Sequence, residues 1–303
     1  MQTFTQFDDH LKDIWQTALT KESIHAPFYR FSWHRHWHET LGQSEKLSII
    51  VTDGLVFPLA IDKNIAHFTG GEEIADYLDA IGDNATKAHA WSNVLDYLKT
   101  QGATSAILLN IPASSETLTF FKQMNSDITE EDTTPTITLS DSWEGYLASL
   151  GRKERHELRR KMRRFEEQHT ALSLVQADTV DIALLLRFMK EDPDKKQFLT
   201  EEMEQFFRGL PEVVGDQLLQ FVLQKDGKPI ATTLVFRVEQ SLLLYNSGYD
   251  HSIEGSGLYL KIKLIEWAIT HTVREVNFLQ GGERYKYDLG AVDSPVYKVT
   301  VTL

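Results

Sequence analysis

The chain has 303 residues and a net charge of −13, from 31 Lys and Arg against 44 Asp and Glu. This length is enough for about two domains, and 42% hydrophobic with 25% charged residues are typical of a globular chain and disfavour a disordered or fibrous one. The absence of cysteine excludes disulfides, iron–sulfur clusters, thiolate zinc sites and a thiol nucleophile.

Charge and hydropathy also bear on location. No apolar run approaches the roughly 18–20 residues that a membrane span requires. The first residues are partly acidic and lack the apolar core of a secretory signal. A chain this acidic is also a poor general binder of nucleic acid. We therefore expect a cytoplasmic protein that neither inserts into membranes nor binds DNA.

The N-terminal half predicts helices alternating with strands. Residues 5–19 place apolar side chains three and four residues apart, which indicates a helix, and a second helix follows Pro27. Two apolar runs, 47–53 and 55–62, flank Gly54, and the Asp-Gly pair is typical of a tight hairpin turn. The remaining predicted elements are a strand at 64–70, a helix at 85–100, a strand at 104–111 and a helix near 114–125.

The C-terminal half repeats this order. A second hairpin is predicted at Asp226-Gly227, followed by a strand at 241–249, a helix at 257–271 and a strand at 274–280. Each half thus consists of hairpin, strand, helix and strand, although no sequence identity links the two. Thr133-Thr134-Pro135, after an acidic stretch, is the best candidate boundary, which gives domains 1–135 and 136–303.

Residues 152–164 form a basic segment inside this acidic chain. They hold eight Lys and Arg and two Glu, so the remaining residues carry a net charge of −19. A helix here would place Leu158, Met162 and Phe165 on one side. The segment either contacts an anion, such as the phosphates of coenzyme A, an acidic glycan or a tRNA acceptor end, or is a solvated helix paired with acidic side chains.

The turn at residues 252–257 joins a predicted strand to a predicted helix through Gly255-Ser256-Gly257. A strand, Gly-x-Gly and a helix start present free backbone N–H groups to an anion, and the helix dipole favours negative charge there. The alternative is an ordinary loop whose glycines supply positive φ.

A second polar turn runs from Asn277 to Lys286. Acyl transfer to an amine requires a base for the ammonium proton, donors for the oxyanion and an acid for the departing thiolate. Glu283 is a candidate base, Tyr285 a candidate acid or oxyanion donor, and Lys286 a candidate contact to phosphate or carboxylate. The alternative is that these residues solvate a loop while Tyr285 packs.

His34, His36 and His38 alternate with other residues between Trp33 and Glu39. Such a spacing can bind a metal ion, but the aromatic pattern favours a helix whose tryptophans face inward. We therefore expect the histidines outside and no metal site.

These motifs resemble the GNAT acyltransferase superfamily, in particular its CelD-like branch related to the Fem peptidyltransferases. In the C-terminal half the matching residues are Gly255, Gly257, Phe278, Gly281, Glu283, Tyr285 and Lys286. Asp76-Tyr77-Leu78-Asp79 is a looser match in the N-terminal half. The chain departs from the usual pattern at Ser252, where Arg or Gln is typical, and at Glu254, Asn277 and Gln280.

The resemblance implies an α/β protein of two tandem GNAT-like domains, each a mixed, mostly antiparallel sheet flanked by helices. The N-terminal domain would be degenerate, and the C-terminal acyltransferase domain would be preceded by the basic helix. The implied activity is N-acyl transfer, as in an acetyltransferase, from acetyl-CoA or another acyl-CoA directly to an amine. The acceptor would be a small molecule or a cell-envelope-related amine, and no metal would be needed.

The resemblance also implies site residues. Those implied to bind the acyl-CoA are Tyr249, Gly255, Ser256, Gly257 and Leu258. Those implied to contact the acceptor are Asn246, Tyr77 and Asp79. The alternatives are a Fem-like transferase that takes its donor from aminoacyl-tRNA, which the basic helix favours, and a degenerate GNAT fold that binds without catalysis, which Ser252 and Glu254 favour.

Overall fold

The computed structural model describes residues 1–303. The chain divides into two compact units, one of Met1–Thr133 with Ser294–Leu303 and one of Thr134–Asp293. The expected domain boundary after residue 135 differs from this division at the C-terminus. The strand Pro295–Thr302 hydrogen-bonds to two strands of the first unit, so the last ten residues belong there.

The first unit holds nine strands and four α-helices. Its strands are β1 Gln2–Phe4, β2 Lys46–Leu47, β3 Ile49–Thr52, β4 Leu55–Phe57, β5 Leu59–Asp62, β6 Ile65–Phe68, β7 Ser105–Pro112, β8 Asp127–Thr133 and β15 Pro295–Thr302. Its helices are α1 Asp9–Leu19, α2 Phe31–Thr40, α3 Asn84–Thr100 and α4 Glu116–Gln123. The strands form a six-stranded sheet, β2-β5-β6-β7-β15-β8, and a small sheet, β1-β3-β4.

The hairpin predicted at Asp53-Gly54 joins β3 to β4. Both residues have positive φ, 54° and 76°, as a two-residue turn of primed type requires. The predicted strand 55–62 is divided at Pro58, which has no N–H to donate, into β4 and β5. These two strands consequently belong to different sheets.

The second unit holds six strands and seven α-helices. Its strands are β9 Thr136–Thr138, β10 Leu172–Gln176, β11 Leu218–Lys225, β12 Lys228–Val238, β13 Ser241–Tyr249 and β14 Glu275–Asn277. Its helices are α5 Trp143–Ser149, α6 Arg152–Gln168, α7 Ile182–Met189, α8 Pro193–Phe198, α9 Glu201–Val214, α10 Ser256–Thr270 and α11 Arg284–Asp288. One six-stranded sheet results, β10-β11-β12-β13-β14-β9, in which only β13 and β14 run parallel.

Two mixed, mostly antiparallel sheets flanked by helices confirm the expected fold class. Each unit contains one parallel pair joined by a crossover helix: β6, α3 and β7 in the first, and β13, α10 and β14 in the second. None of the helices is long and apolar enough to cross a membrane.

Strands β13 and β14 separate along their length, which creates the opening that positions the candidate site. They pair only from Ser241 opposite Glu275 to Leu243 opposite Asn277. Just beyond, the register of β13 against β12 shifts at Tyr245, because Leu234 lies opposite Asn246 whereas Val235 lies opposite Leu244. Residues 244–249 therefore have a neighbouring strand on one side only.

Candidate functional site

The first residues of α10 offer unpaired backbone donors. Gly255, at φ +88°, precedes the helix, and no side chain caps it. The amide of Ser256 donates to Ile253 O at 3.2 Å and that of Tyr259 to Gly255 O at 2.9 Å. The amides of Gly257 and Leu258 have no acceptor, so the positive end of the helix dipole remains unopposed.

A groove between α6 and α10 leads to this helix start. One part, about 300 Å³, is lined by Arg160, Lys161, Arg164, Phe165, Gln168, Glu254, Gly255, Leu258, Tyr259 and Ile262. An adjoining part, about 370 Å³, is lined by residues of α6, α10 and α11, including Tyr285. Lys161, Leu258 and Ile262 line both parts. The groove therefore runs from Gly255 to Tyr285.

Helix α6 is fixed against α10 by its apolar side, as the sequence predicts. The ring of Phe165 stacks on Tyr259 with centroids 4.6 Å apart, and both side chains are buried. The Tyr259 hydroxyl donates to Glu166 Oε1 at 2.8 Å. Burial, together with this carboxylate, raises the pKa of Tyr259. The basic side chains of α6 are thereby carried on a firmly packed helix.

Tyr249 closes one wall of the corner at α10. A Cβ added to Gly257 would lie 2.8 Å from Tyr249 Cδ1, so only glycine permits this close approach. The ring of His251 stacks on that of Tyr249, with the two ring centres 4.6 Å apart. Tyr249 therefore shapes the corner, while the groove beside α6 stays open.

Two lysines converge on Ser247, in the opening between β13 and β14. Lys195 Nζ, from α8, donates to Ser247 O at 2.7 Å. Lys261 Nζ, from α10, lies 3.4 Å from Ser247 Oγ and 5.0 Å from the centre of the Tyr285 ring. No carboxylate forms an ion pair with either ammonium, although Lys261 is only 9% exposed.

Burial dominates the electrostatics of these lysines. It lowers the pKa of Lys261 to about 8, and the charges of Lys195 and Lys286 act in the same direction against that of Glu283. Burial also lowers the pKa of Lys195, while Asp192 and Glu283 oppose that shift. The site thus holds more positive than negative charge within an acidic protein.

Lys286 and Glu283 fix the turn that follows β14. Lys286, 2% exposed, donates to the carbonyls of Leu279 at 3.2 Å, Gln280 at 2.7 Å and Gly281 at 2.8 Å. It also lies 2.9 Å from Glu283 Oε2. These four acceptors occupy the ammonium, so its expected contact to a substrate anion gives way to a positioning role.

The pKa values of Glu283 and Tyr285 are shifted in opposite directions. Partial burial raises the pKa of Glu283, but the hydrogen bond and charge of Lys286 outweigh it and hold that pKa below its usual value. Burial raises the pKa of Tyr285, and the charge of Glu283 adds to this. Tyr285 lines the groove, and Glu283 stands two residues before it, immediately before α11.

Asn246 lies at the shifted register of β13. Its carbonyl accepts from Thr233 Oγ1 at 3.1 Å, towards β12, while its side chain is half-buried. Of the residues implied by the resemblance, the second unit brings together Asn246, Tyr249, Gly255–Leu258, Glu283 and Tyr285 around the groove and the opening.

Asp79 and Tyr77 belong to the interior of the first unit. Asp79 Oδ2 accepts from Lys87 at 2.8 Å and Ser115 at 2.6 Å, and Oδ1 accepts from Thr117 Oγ1 at 2.7 Å. Asp79 is 2% exposed, and Tyr77 is half-buried near Phe28. Asp79 therefore has a structural role, which differs from the expected contact to an acceptor.

Sequence reasoning missed Ser247, Lys195 and Lys261. Only Lys261 carried a signal, because it interrupts the apolar side of α10 between Leu258 and Ile265. His34 also differs from expectation: it is 1% exposed, with Nδ1 2.7 Å from Thr69 Oγ1, and burial lowers its pKa to about 3. No group of three His, Asp or Glu side chains is arranged to hold a metal ion.

Comparison with known proteins agrees with this geometry. Residues 152–287, from the start of α6 to α11, match the family model of an acetyltransferase (GNAT) domain. No curated protein sequence matches the chain significantly.

Solved structures share the whole fold. L-PGS from Bacillus licheniformis superposes with a TM-score of 0.63 at 13% identity, over 99% of this chain and 93% of that one. FemX gives 0.63 at 10% identity, over 98% and 97%. A tandem GNAT protein from the clavulanic acid biosynthesis pathway gives 0.55 at 14% identity, over 99% and 97%. At these identities the likeness is one of fold.

Proposed function

We propose that this protein is an N-acyltransferase of the CelD-like kind, which moves an acyl group from acyl-CoA to an amine by direct transfer in its second unit. The observation that carries the proposal is the start of α10, where two unpaired amides stand at one end of a groove that reaches Tyr285. The GNAT domain match at residues 152–287 supports the class of reaction.

The donor fits this arrangement by its chemistry. The diphosphate of coenzyme A is an anion, and backbone N–H groups at a helix start bind such groups without side-chain charge. The pantetheine arm is extended and carries amides, which suits the free edge of β13 at residues 244–249. In this pose the thioester lies near the opening that holds Lys261 and Tyr285.

The transfer step then uses groups already in place. Glu283 takes the proton of the acceptor ammonium, and the free amine attacks the thioester carbonyl. The ammonium groups of Lys195 and Lys261 stabilise the oxyanion of the tetrahedral intermediate. As the carbon–sulfur bond breaks, Tyr285 donates a proton to the departing thiolate, and its phenolate then takes the second proton of the attacking nitrogen, which leaves a neutral amide. No covalent enzyme intermediate forms, which suits a chain without cysteine.

One observation favours aminoacyl-tRNA as the donor instead. A depression on the outer side of α6 has a basic surface suited to a nucleic-acid backbone. It is lined by Arg152, Lys153, Arg155, His156 and Arg159. FemX and L-PGS share the fold, yet the fold does not distinguish between donors. We place the acyl-CoA reading first because the groove and the unpaired amides form a small, built site.

Binding and turnover test the proposal together. We expect CoA and acetyl-CoA, but not charged tRNA, to raise the melting temperature. Release of CoA thiol from acetyl-CoA with a panel of amines can be followed with a thiol reagent, because the protein itself contributes no thiol. Stabilisation by charged tRNA alone would favour the second donor, and no response to any of them would favour a non-catalytic fold.

We expect Glu283→Gln and Tyr285→Phe to lower kcat by about a hundredfold or more while CoA still binds, since each removes a proton-transfer group. Tyr287→Phe is the matched control, because that hydroxyl donates to Asp293 instead. Unchanged rates in both site variants would contradict the assignment of Glu283 and Tyr285 even if acetyl transfer is observed.

A further inference from the structure

We infer that the α6 cations that line the groove beside Gly255, and Arg164 above all, bind the phosphates of the donor across the groove from the start of α10. This inference rests on the proposed acyl-CoA-dependent function. It assigns to the basic helix a definite ligand chemistry, the diphosphate of coenzyme A, which neither the fold nor the domain match supplies.

The loop before α10 contains no Lys or Arg of its own. Ser252 Oγ donates to Asp250 Oδ1, and Glu254 lines the groove directly. Residues 250–255 therefore offer unpaired amides but an unfavourable charge. Among the residues that line the groove at this corner, every Lys and Arg belongs to α6.

The three cations in the part of the groove beside Gly255 differ in whether their charges are already paired with a carboxylate. Arg160 forms two hydrogen bonds to Glu157, at 2.8 and 2.7 Å. Lys161 lies 3.9 Å from Glu157 and 3.9 Å from Asp288. Arg164 has neither an ion pair nor a side-chain hydrogen bond, and so its guanidinium remains available.

The position of Arg164 is set by its neighbour. Phe165 is buried against Tyr259, and its ring lies 3.6 Å from where a Cβ on Gly255 would be. The backbone of α6 is therefore held next to Gly255, and this fixes the position of Arg164. A planar guanidinium and a row of amides on opposite walls of one groove form a two-sided phosphate site.

A further feature points to a missing acceptor at this helix start. Ser256, the first residue of α10, is completely buried, and its hydroxyl has no hydrogen-bond partner. Buried hydroxyls are almost always paired, so an unpaired one beside unpaired amides indicates an absent ligand or solvent molecule.

Calorimetric titration of the full chain with CoA and with dephospho-CoA tests the inference. We expect Arg164→Gln to weaken the binding of both by about tenfold, since a charge-assisted hydrogen bond to the shared diphosphate is lost. The matched control is Arg163→Gln, because Arg163 is exposed and lies 3.8 Å from Glu167; it should change affinity by less than about twofold. We expect Glu254→Gln to strengthen binding, by about twofold, because it removes a negative charge from the groove.

The outcomes separate this inference from the proposed function. If CoA binds the parent protein and Arg164→Gln binds it equally well, the phosphate site on α6 is wrong while acyl-CoA dependence stands. Equal losses in Arg163→Gln and Arg164→Gln, or weaker binding in Glu254→Gln, would also overturn it. If the parent protein does not bind CoA, the proposed function fails, and the inference fails with it. Because Arg164 and Glu254 are exposed, unchanged melting temperatures without ligand will confirm that folding is intact.

Discussion

Both units contain a parallel strand pair joined by a crossover helix, but they differ in what lies beyond the residues that pair. In the first unit β6 and β7 pair only at Ile65 and Ala66, and the chain itself fills the space beyond. Asn110 of β7 accepts from Leu78 N at 3.0 Å and donates to the carbonyls of Glu72 and Ala75. In the second unit β13 and β14 pair only as far as Leu243 and Asn277, and beyond these residues the side chain of Lys195 donates to Ser247 O.

The two units also differ in whether their buried lysines are paired with carboxylates. Lys87 of the first unit lies between Glu22 at 3.0 Å and Asp79 at 2.8 Å, all three almost completely buried. Lys195 and Lys261 of the second unit have no carboxylate partner. A buried lysine paired with carboxylates contributes to the stability of the fold. Lysines without a carboxylate partner beside an opening are instead suited to binding a ligand. This difference supports the proposal that acyl transfer takes place in the second unit.

The largest effect should come from opening the closed cluster. Lys87→Met leaves two buried carboxylates without a cation, so we expect the free energy of unfolding to fall by about 3–5 kcal/mol. Chemical denaturation measures it. Lys99→Met on the same helix is the control, because Lys99 is half-exposed. A loss below about 1 kcal/mol, as for a surface ion pair, would mean that the cluster is not structural.

Lys261, which has no carboxylate partner, should affect the stability of the protein in the opposite direction to Lys87. With its folded-state pKa lowered to about 8, Lys261 releases a proton on folding between about pH 8 and its ordinary value. The unfolded chain then binds more protons, so stability rises with pH across that range.

We therefore expect Lys261→Met to stabilise the protein near pH 7, by up to about 3 kcal/mol, and the gain to shrink above pH 8. Denaturation of both proteins at pH 7 and pH 10 gives the comparison. A destabilised variant at pH 7, or a gain independent of pH, would show that Lys261 is not held at an electrostatic cost.

The smallest effect concerns the two crossover helices. The start of α3 is capped, since Asp83 accepts from Ala85 N at 3.1 Å, whereas α10 has no side-chain cap. We expect Asp83→Ala to cost about 1 kcal/mol of unfolding free energy. Asp96→Ala, at an exposed position later in α3, should cost less. Equal costs would mean that the cap contributes nothing beyond a surface carboxylate.

Local pattern was enough to predict much of this fold. Both hairpins carry Asp-Gly pairs, and both crossover helices show clear apolar periodicity, so each is a short-range signal. The glycine turn at 255–257 was readable for the same reason, because helix starts near glycine are local chemistry.

Long-range pairing was not readable. The acidic stretch 127–132 is part of β8, an edge strand that tolerates charge because one side faces no other strand. The predicted strand 274–280 is shorter than expected, since Leu279 adopts φ +56° to bring its carbonyl to Lys286. Lys195 reaches Ser247 across 52 residues of sequence, a contact that no spacing rule could reveal.

The place of β15 bears on how the protein is made. This strand lies between β7 and β8 in the first sheet, yet the ribosome produces it only after the entire second unit. Until β15 is synthesised, β8 has no strand to pair with, and the first sheet is incomplete at that edge. Residues 134–293 are synthesised during this period and are free to fold. Completion of the first sheet therefore requires that the second unit has already been synthesised.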